Sequence, residues 1–227
     1  MKRVLILDGS IFPEMYRPSD QWRDLIGTAA SDSVHLPSGE EVPDLSGYSH
    51  LVVTGSEASI VASEPWYEVE AAAVREAVER GLSVLGSCFG HQMLARALSG
   101  PGFAAASSTP ELGWTRIEIT HPDPLLDGLP NPFWVFVSHF DEVRDPPPPW
   151  RVLARSAGCA VQVMRHGDSP VWGIQAHPEI PPVQGRALLL GFIEKHPEKA
   201  PLLERALAMT PRDDRVAGEI VRRFLEA

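Results

Sequence analysis

The chain has 227 residues, 44% of them hydrophobic and 22% charged, which is enough apolar material to bury a core within a single α/β layer fold. A formal net charge of -10 argues against a nucleic-acid surface, because such surfaces need clustered Lys and Arg. Its two cysteines, Cys88 and Cys159, are too few for a disulfide scaffold and fit a reducing compartment.

The first apolar run, residues 4–7, is short and is interrupted by Asp8, unlike a signal peptide. No apolar run approaches the roughly 18 residues that span a bilayer. The expectation is a cytoplasmic protein with neither membrane nor nucleic acid as a partner. Residues 4–7, 51–53 and 83–85 read as buried parallel strands, closed by Asp8-Gly9, Thr54-Gly55-Ser56 and Gly86. Between the second and third, residues 67–80 carry apolar and alanine positions at helical spacing and stop at Gly81. Strand, helix, strand with short turns is the βαβ pattern, which makes these strands parallel neighbours. A helix over 93–98 follows. Further on, 115–120, 133–137, 151–156 and 160–165 are strand-like, the last two forming a hairpin through Ser156-Ala157-Gly158. Residues 146–149 are a stiff proline loop, 171–175 one more strand and 183–194 one more helix. Residues 202–225 read as a final helical segment broken near Thr210-Pro211.

Chemistry concentrates at two places. In Gly86-Ser87-Cys88-Phe89-Gly90-His91-Gln92 a cysteine follows a strand and opens a helix. A nucleophile on such a sharp turn stands clear of its neighbours, and small residues two positions to each side let the backbone fold back. The helix N-terminus points its N–H groups and positive dipole end at the sulfur, favouring thiolate. Cys159, in the hairpin, has no such setting. The second place is His177-Pro178-Glu179. In extended chain residues i and i+2 share a side, so Glu179 can hold one imidazole nitrogen of His177 and leave the other to take a thiol proton. His91 reads as a packing residue at the start of its helix, and the remaining histidines lack metal-ligand spacing. No Walker-type loop and no Gly-x-Gly-x-x-Gly occurs, so neither a metal nor a cofactor is expected.

At these residues the chain resembles the class I (triad) glutamine amidotransferases, whose Gly-x-Cys-x-Gly-x-Gln elbow and later His-Pro-Glu are both complete here. The resemblance covers about residues 1–195. Ser138-His139-Phe140-Asp141, Glu111-Leu112-Gly113-Trp114 and residues 124–129 are similar to the amidotransferase domain of GMP synthetase. It implies a central, mostly parallel sheet flanked by helices, with an added antiparallel strand region (a flavodoxin-like α/β fold). It implies one domain over 1–195, with 196–227 as a C-terminal helical extension packed on it. Carried over by position, Cys88 is the nucleophile, His177 the base and Glu179 its orienter. Backbone N–H groups of Phe89 and of Gly55 or Ser56 form the oxyanion hole. Gln92 and the backbone around Ser138 and His139 hold the substrate's α-amino and α-carboxylate groups. The loop Gly55-Ser56-Glu57 departs from the family's usual Gly-Gly-Pro or Gly-Ser-Pro, and Glu57 is expected to repel a negative substrate or recognise an amine. The resemblance leaves three functions open. One is a glutaminase subunit serving a separate synthetase, since 227 residues leave no room for an ATP-using synthetase domain. The others are a free-standing γ-glutamyl hydrolase or peptidase, like the plant γ-glutamyl peptidases, and a non-catalytic regulatory protein. In each case the partner is a small molecule, glutamine or a γ-glutamyl compound.

Overall fold

The computed structural model describes residues 2–227. In chain order its main elements are β1 (Arg3–Asp8), α1 (Pro18–Ile26), β2 (Ala30–His35), β3 (His50–Val53), α2 (Pro65–Glu79), β4 (Ser83–Ser87) and α3 (Phe89–Ser99). There follow β5 (Ala104–Ile119), β6 (Phe133–Val143), β7 (Trp150–Arg155), β8 (Val163–His166), β9 (Val171–Ile174), α4 (Pro182–Lys195), α5 (Ala200–Ala208) and α6 (Ala217–Glu226). The nine strands form one sheet in the order β2-β1-β3-β4-β9-β8-β7-β5-β6. The first five are parallel and the rest pair antiparallel, β9 being the strand with one neighbour of each kind.

The alternation of β1 decides which layer each residue feeds. Leu5 and Leu7 join Leu51, Val53 and Val84 on the face covered by α2 and α3. Val4 and Ile6 join Val52 and Leu85 on the other face, against Trp22 and Ile26 of α1 and Ile220, Val221 and Phe224 of α6. Both faces are therefore buried, which is why the parallel strands are nearly uninterrupted runs of Val, Leu and Ile. A third cluster, with Trp114, Phe136, Leu188, Leu189, Leu203 and Ala206, fastens α4 and α5 to the β5–β6 ribbon.

The α/β sheet with an antiparallel addition agrees with the sequence reading, but several elements differ. Helix α1 and strand β2 lie where the sequence offers no run of apolar residues; β2 (ASDSVH) is an edge strand with a single buried side chain. The strands expected over 115–120 and 133–137 are the ends of much longer β5 and β6, so that Ser138–Asp141 belongs to the sheet. The terminal helical segment is broken as expected, into α5 packing on β5 and α6 beneath the parallel strands. Among the described residues no helix is long and apolar enough to cross a membrane.

One buried group opposes the fold. Glu70 lies on the core-facing stripe of α2, fully buried, and neither carboxyl oxygen has a hydrogen-bond partner. Burial, with the Asp8 carboxylate adding to it, pushes its pKa well above the usual carboxylate range. The folded state therefore keeps a proton that the unfolded chain gives up above about pH 4.5. Stability falls as the pH rises from there, by at most about 1.4 kcal/mol per pH unit. Glu70→Met should raise stability, with a gain larger at pH 8 than at pH 5 in urea denaturation; a gain independent of pH would show that Glu70 is not protonated in the fold.

Candidate active site

The site forms at the C-terminal ends of β3, β4 and β9, where an open parallel sheet presents its crevice. Cys88 sits between the last residue of β4 and the first of α3 with φ 49°, a left-handed conformation rare for a side chain with a Cβ. The flanking glycines make this turn feasible. A Cβ on Gly86 would lie 2.6 Å from the Gly90 carbonyl carbon, and one on Gly90 would lie 2.1 Å from the Val53 carbonyl oxygen. The sulfur is nearly buried, 3.7 Å from the Gln175 amide nitrogen, which donates to it, and 3.8 Å from the Ser138 carbonyl oxygen.

β9 is the direct neighbour of β4, with Ser87 opposite Ile174, so the chain leaving β9 passes beside the elbow. There His177 is pinned by its own N–H, which donates to the Phe136 carbonyl at 2.9 Å. Its Nδ1 lies 2.8 Å from Glu179 Oε1. A carboxylate only accepts, so Nδ1 carries its hydrogen and the other ring nitrogen is left free to serve the Cys88 thiol, whose charge the imidazole feels. Burial works against a charge on His177, but the Cys88 thiolate and the Glu179 carboxylate outweigh it and carry its pKa up to about 10. Two further donors converge on Glu179 Oε1, the Tyr16 hydroxyl at 2.8 Å and the Ser87 hydroxyl at 3.2 Å. Burial, then the neighbouring Glu179, keeps the Tyr16 phenol far above its ordinary pKa, so it remains a donor.

A Cβ on Gly55 would stand 2.7 Å from the His177 ring, which places this loop directly over the imidazole. Among the described residues the backbone N–H groups of Ser56 and Phe89 have no hydrogen-bond partner, and both residues, with Cys88, line a cavity of about 110 Å³. Gln92, Ser138 and His139 line it too. The Gln92 amide nitrogen is already donating to the Asp141 carbonyl (2.8 Å) and to Gln175 Oε1 (3.2 Å). The His139 ring contacts the Asp141 carbonyl oxygen at 3.0 Å and Glu111 at 3.3 Å. Glu57 accepts the Ile11 N–H at 2.9 Å, so it anchors the loop that carries Tyr16 as well as bordering the cavity. Burial raises its pKa.

Sequence reasoning misses Tyr16, Ser87 and Gln175, and also Phe192, His196 and Lys199, which close the cavity from the end of α4 and the turn beyond it. None belongs to a spacing pattern that names a role. Glu111, His139 and Cys159 bring donor atoms within 4.8 Å of one another, a proximity that their scattered positions in the chain hide. Glu111 is already occupied, accepting from Gln162 at 2.6 Å and from Ser156 at 2.8 Å. Burial pushes the Cys159 thiol up to about 12. The trio is thus a hydrogen-bonded support behind β6.

Two measurements follow from these charges. Iodoacetamide at neutral pH should label Cys88 at least about tenfold faster than Cys159, since the thiolate is the reactive form; equal rates in folded protein would contradict an activated Cys88. Because His177 has a raised pKa, its share of stability is complete below about 6.5 and is lost as the pH passes through about 10. Cys88→Ala removes one of the two anions, so the imidazole resonances should titrate at lower pH in the variant than in the native protein.

The glutamine amidotransferase class-I family model matches residues 34–194. A glutamine-hydrolyzing GMP synthase subunit from Pyrococcus abyssi is 38% identical over 102 residues, 45% of this chain and 53% of that one. The corresponding subunit from Methanothermobacter thermautotrophicus is 33% identical over 147 residues, 65% of this chain and 77% of that one. The chain thus spans only about half the length of the first of these relatives. A crystal structure of a glutamine amidotransferase from Thermotoga maritima superimposes with a TM-score of 0.77 at 22% identity, covering 99% of this chain and 96% of that one. The matched span holds the Cys88 elbow, the Gly55 loop and His177-Pro178-Glu179, and the chain belongs to the class-I glutamine amidotransferase family.

Proposed function

We propose that the chain hydrolyses the side-chain amide of glutamine or of a related γ-glutamyl compound through Cys88, His177 and Glu179. The observation that carries this reading is the buried His177–Glu179 pair, delivered by β9 beside the strained Cys88 elbow at the end of β4. Thiolate attack on the amide carbon forms the C–S bond and moves an electron pair onto the carbonyl oxygen. N–H groups of Phe89 and of Gly55 or Ser56 receive that oxyanion, each donor contributing about 3 kcal/mol. Collapse breaks the C–N bond as the His177 imidazolium protonates the leaving nitrogen, releasing ammonia or an amine and leaving a γ-glutamyl thioester. His177, now neutral, takes a proton from water; the resulting hydroxide attacks the thioester, and expulsion of the Cys88 thiolate frees glutamate.

The relatives are named as subunits of a glutamine-hydrolyzing GMP synthase, which supports delivery of the ammonia to a separate synthetase subunit. A free-standing γ-glutamyl hydrolase is the second reading. It is supported by Glu57 in the loop where the family commonly has proline, and by the side chains beyond residue 194 that close the cavity.

Release of ammonia and glutamate from glutamine and from γ-glutamyl amides should be measurable with purified protein and abolished in Cys88→Ala; undiminished release by that variant would refute the assignment. Tyr16→Phe removes a hydrogen bond to a charged group, worth about 1.5–3 kcal/mol, and should lower kcat roughly tenfold or more with KM little changed. The two functional readings separate on activation. A glutaminase subunit should favour glutamine and accelerate when cell extract supplies its synthetase, whereas a free-standing hydrolase should need no extract and favour a γ-glutamyl amide with a larger amine.

A further inference from the structure

The cavity that holds Cys88 contains one Lys or Arg, Lys199, in a protein of net charge -10. Two carboxyl-bearing residues, Glu57 and Asp141, line the same cavity. Each is already committed to the loops, Glu57 to the Ile11 N–H and Asp141 Oδ2 to the Ser59 hydroxyl (2.6 Å) and the Ile60 N–H (3.0 Å). Lys199 makes no ion pair among the described residues. Its ammonium lies 4.1 Å from the centroid of the Phe140 ring, on the strand that forms the opposite wall. Lys195, one turn earlier, differs: it points outward, pairs with Glu14 at 2.7 Å and borders no part of the cavity. The short turn Pro197–Lys199 after α4 is what brings Lys199 back over the site.

A γ-glutamyl substrate carries at least one carboxylate into this space. The side-chain nitrogen of Gln92, which lines the cavity, is spent on Asp141 and Gln175. A cation held against a ring face, with no anion of its own, is the group that meets such a carboxylate. We infer that Lys199 is a specificity-determining residue that binds a carboxylate of the substrate. The inference deepens the hydrolase reading and rests on it. The carboxylate has two sources: the α-carboxylate of the glutamyl half, and a carboxylate on the amine half when that amine is an amino acid.

Two assays test it. In the first, the alkylation rate of Cys88 is compared for iodoacetate and iodoacetamide, which differ in charge. Lys199→Ala should slow iodoacetate about fivefold or more, with iodoacetamide unaltered, Lys199→Arg should restore it, and the effect should shrink with salt. Equal rates for native and variant protein, or equal slowing of both reagents, would overturn the inference. This assay needs no turnover, so it decides the role of Lys199 even if the native protein hydrolyses nothing and the hydrolase reading fails.

The second assay follows hydrolysis. Lys199→Ala should raise KM about tenfold or more with kcat nearly constant. If that increase is present with glutamine and absent with glutamine α-amide, Lys199 meets the α-carboxylate. If it is larger with γ-glutamylglycine than with γ-glutamylmethylamide, Lys199 meets the carboxylate of the amine half. A KM unchanged across all four compounds in an active enzyme would overturn the inference while leaving the hydrolase reading intact.

Discussion

A fully buried imidazole can carry a charge only where anions stand close enough to replace water, and in this chain two do. The Glu179 carboxylate holds His177 Nδ1 at 2.8 Å, and the charge of Cys88 acts on the same ring. Negative charge at both places supports the cation, and the carboxylate fixes which ring nitrogen carries the hydrogen toward it. The turn that strains Cys88 is possible because Gly86 and Gly90 have no Cβ where the backbones approach.

Support for this pair comes from further out than its members suggest. Glu179 Oε1 gathers three donors, one of them Tyr16 from the loop after β1. That loop is tied down in turn by Glu57, beside the Gly55 loop above the imidazole. The residue that departs from the family's usual proline thus replaces a rigid ring with a hydrogen bond across to another segment. On the other side, Gln92 and Gln175 join β6 to the elbow through their amides, and Gln175 ends on the sulfur. A second larger cavity, about 750 Å³, shares Glu57, Ala58 and Ser59 with the site and is walled by Leu36, Trp66 and Tyr67, with neither cysteine nor histidine in its lining.

What the sequence discloses follows from how local each signal is. The parallel strands are legible because burial on both faces demands unbroken apolar runs, and the elbow because its glycines fall at fixed offsets from Cys88. His177 and Glu179 are legible through the two-residue repeat of extended chain. β2 is hidden because an edge strand with one buried side chain has no run to show. Tyr16, Gln175 and Lys199 are hidden for a different reason: their roles arise from contacts across the fold, with Glu179, the Cys88 sulfur and Phe140. The motif assigns Gln92 to substrate, yet its donors are turned to the protein, a distinction that only partner atoms reveal.

The pairing of β4 with β9 has a further consequence. Cys88 and the approach to His177 leave neighbouring strands joined by a backbone ladder, with Gly86 opposite Gly173 and Ser87 opposite Ile174. Main-chain hydrogen bonds, which are alike for every residue type, therefore set the span between sulfur and imidazole. The side chains of the two hydrophobic layers can drift by substitution, exchanging one aliphatic shape for another, without altering that span. Mutational wear on the core should accumulate as lost thermal tolerance long before it appears as slower chemistry, and loss of activity on heating should coincide with melting of the central sheet.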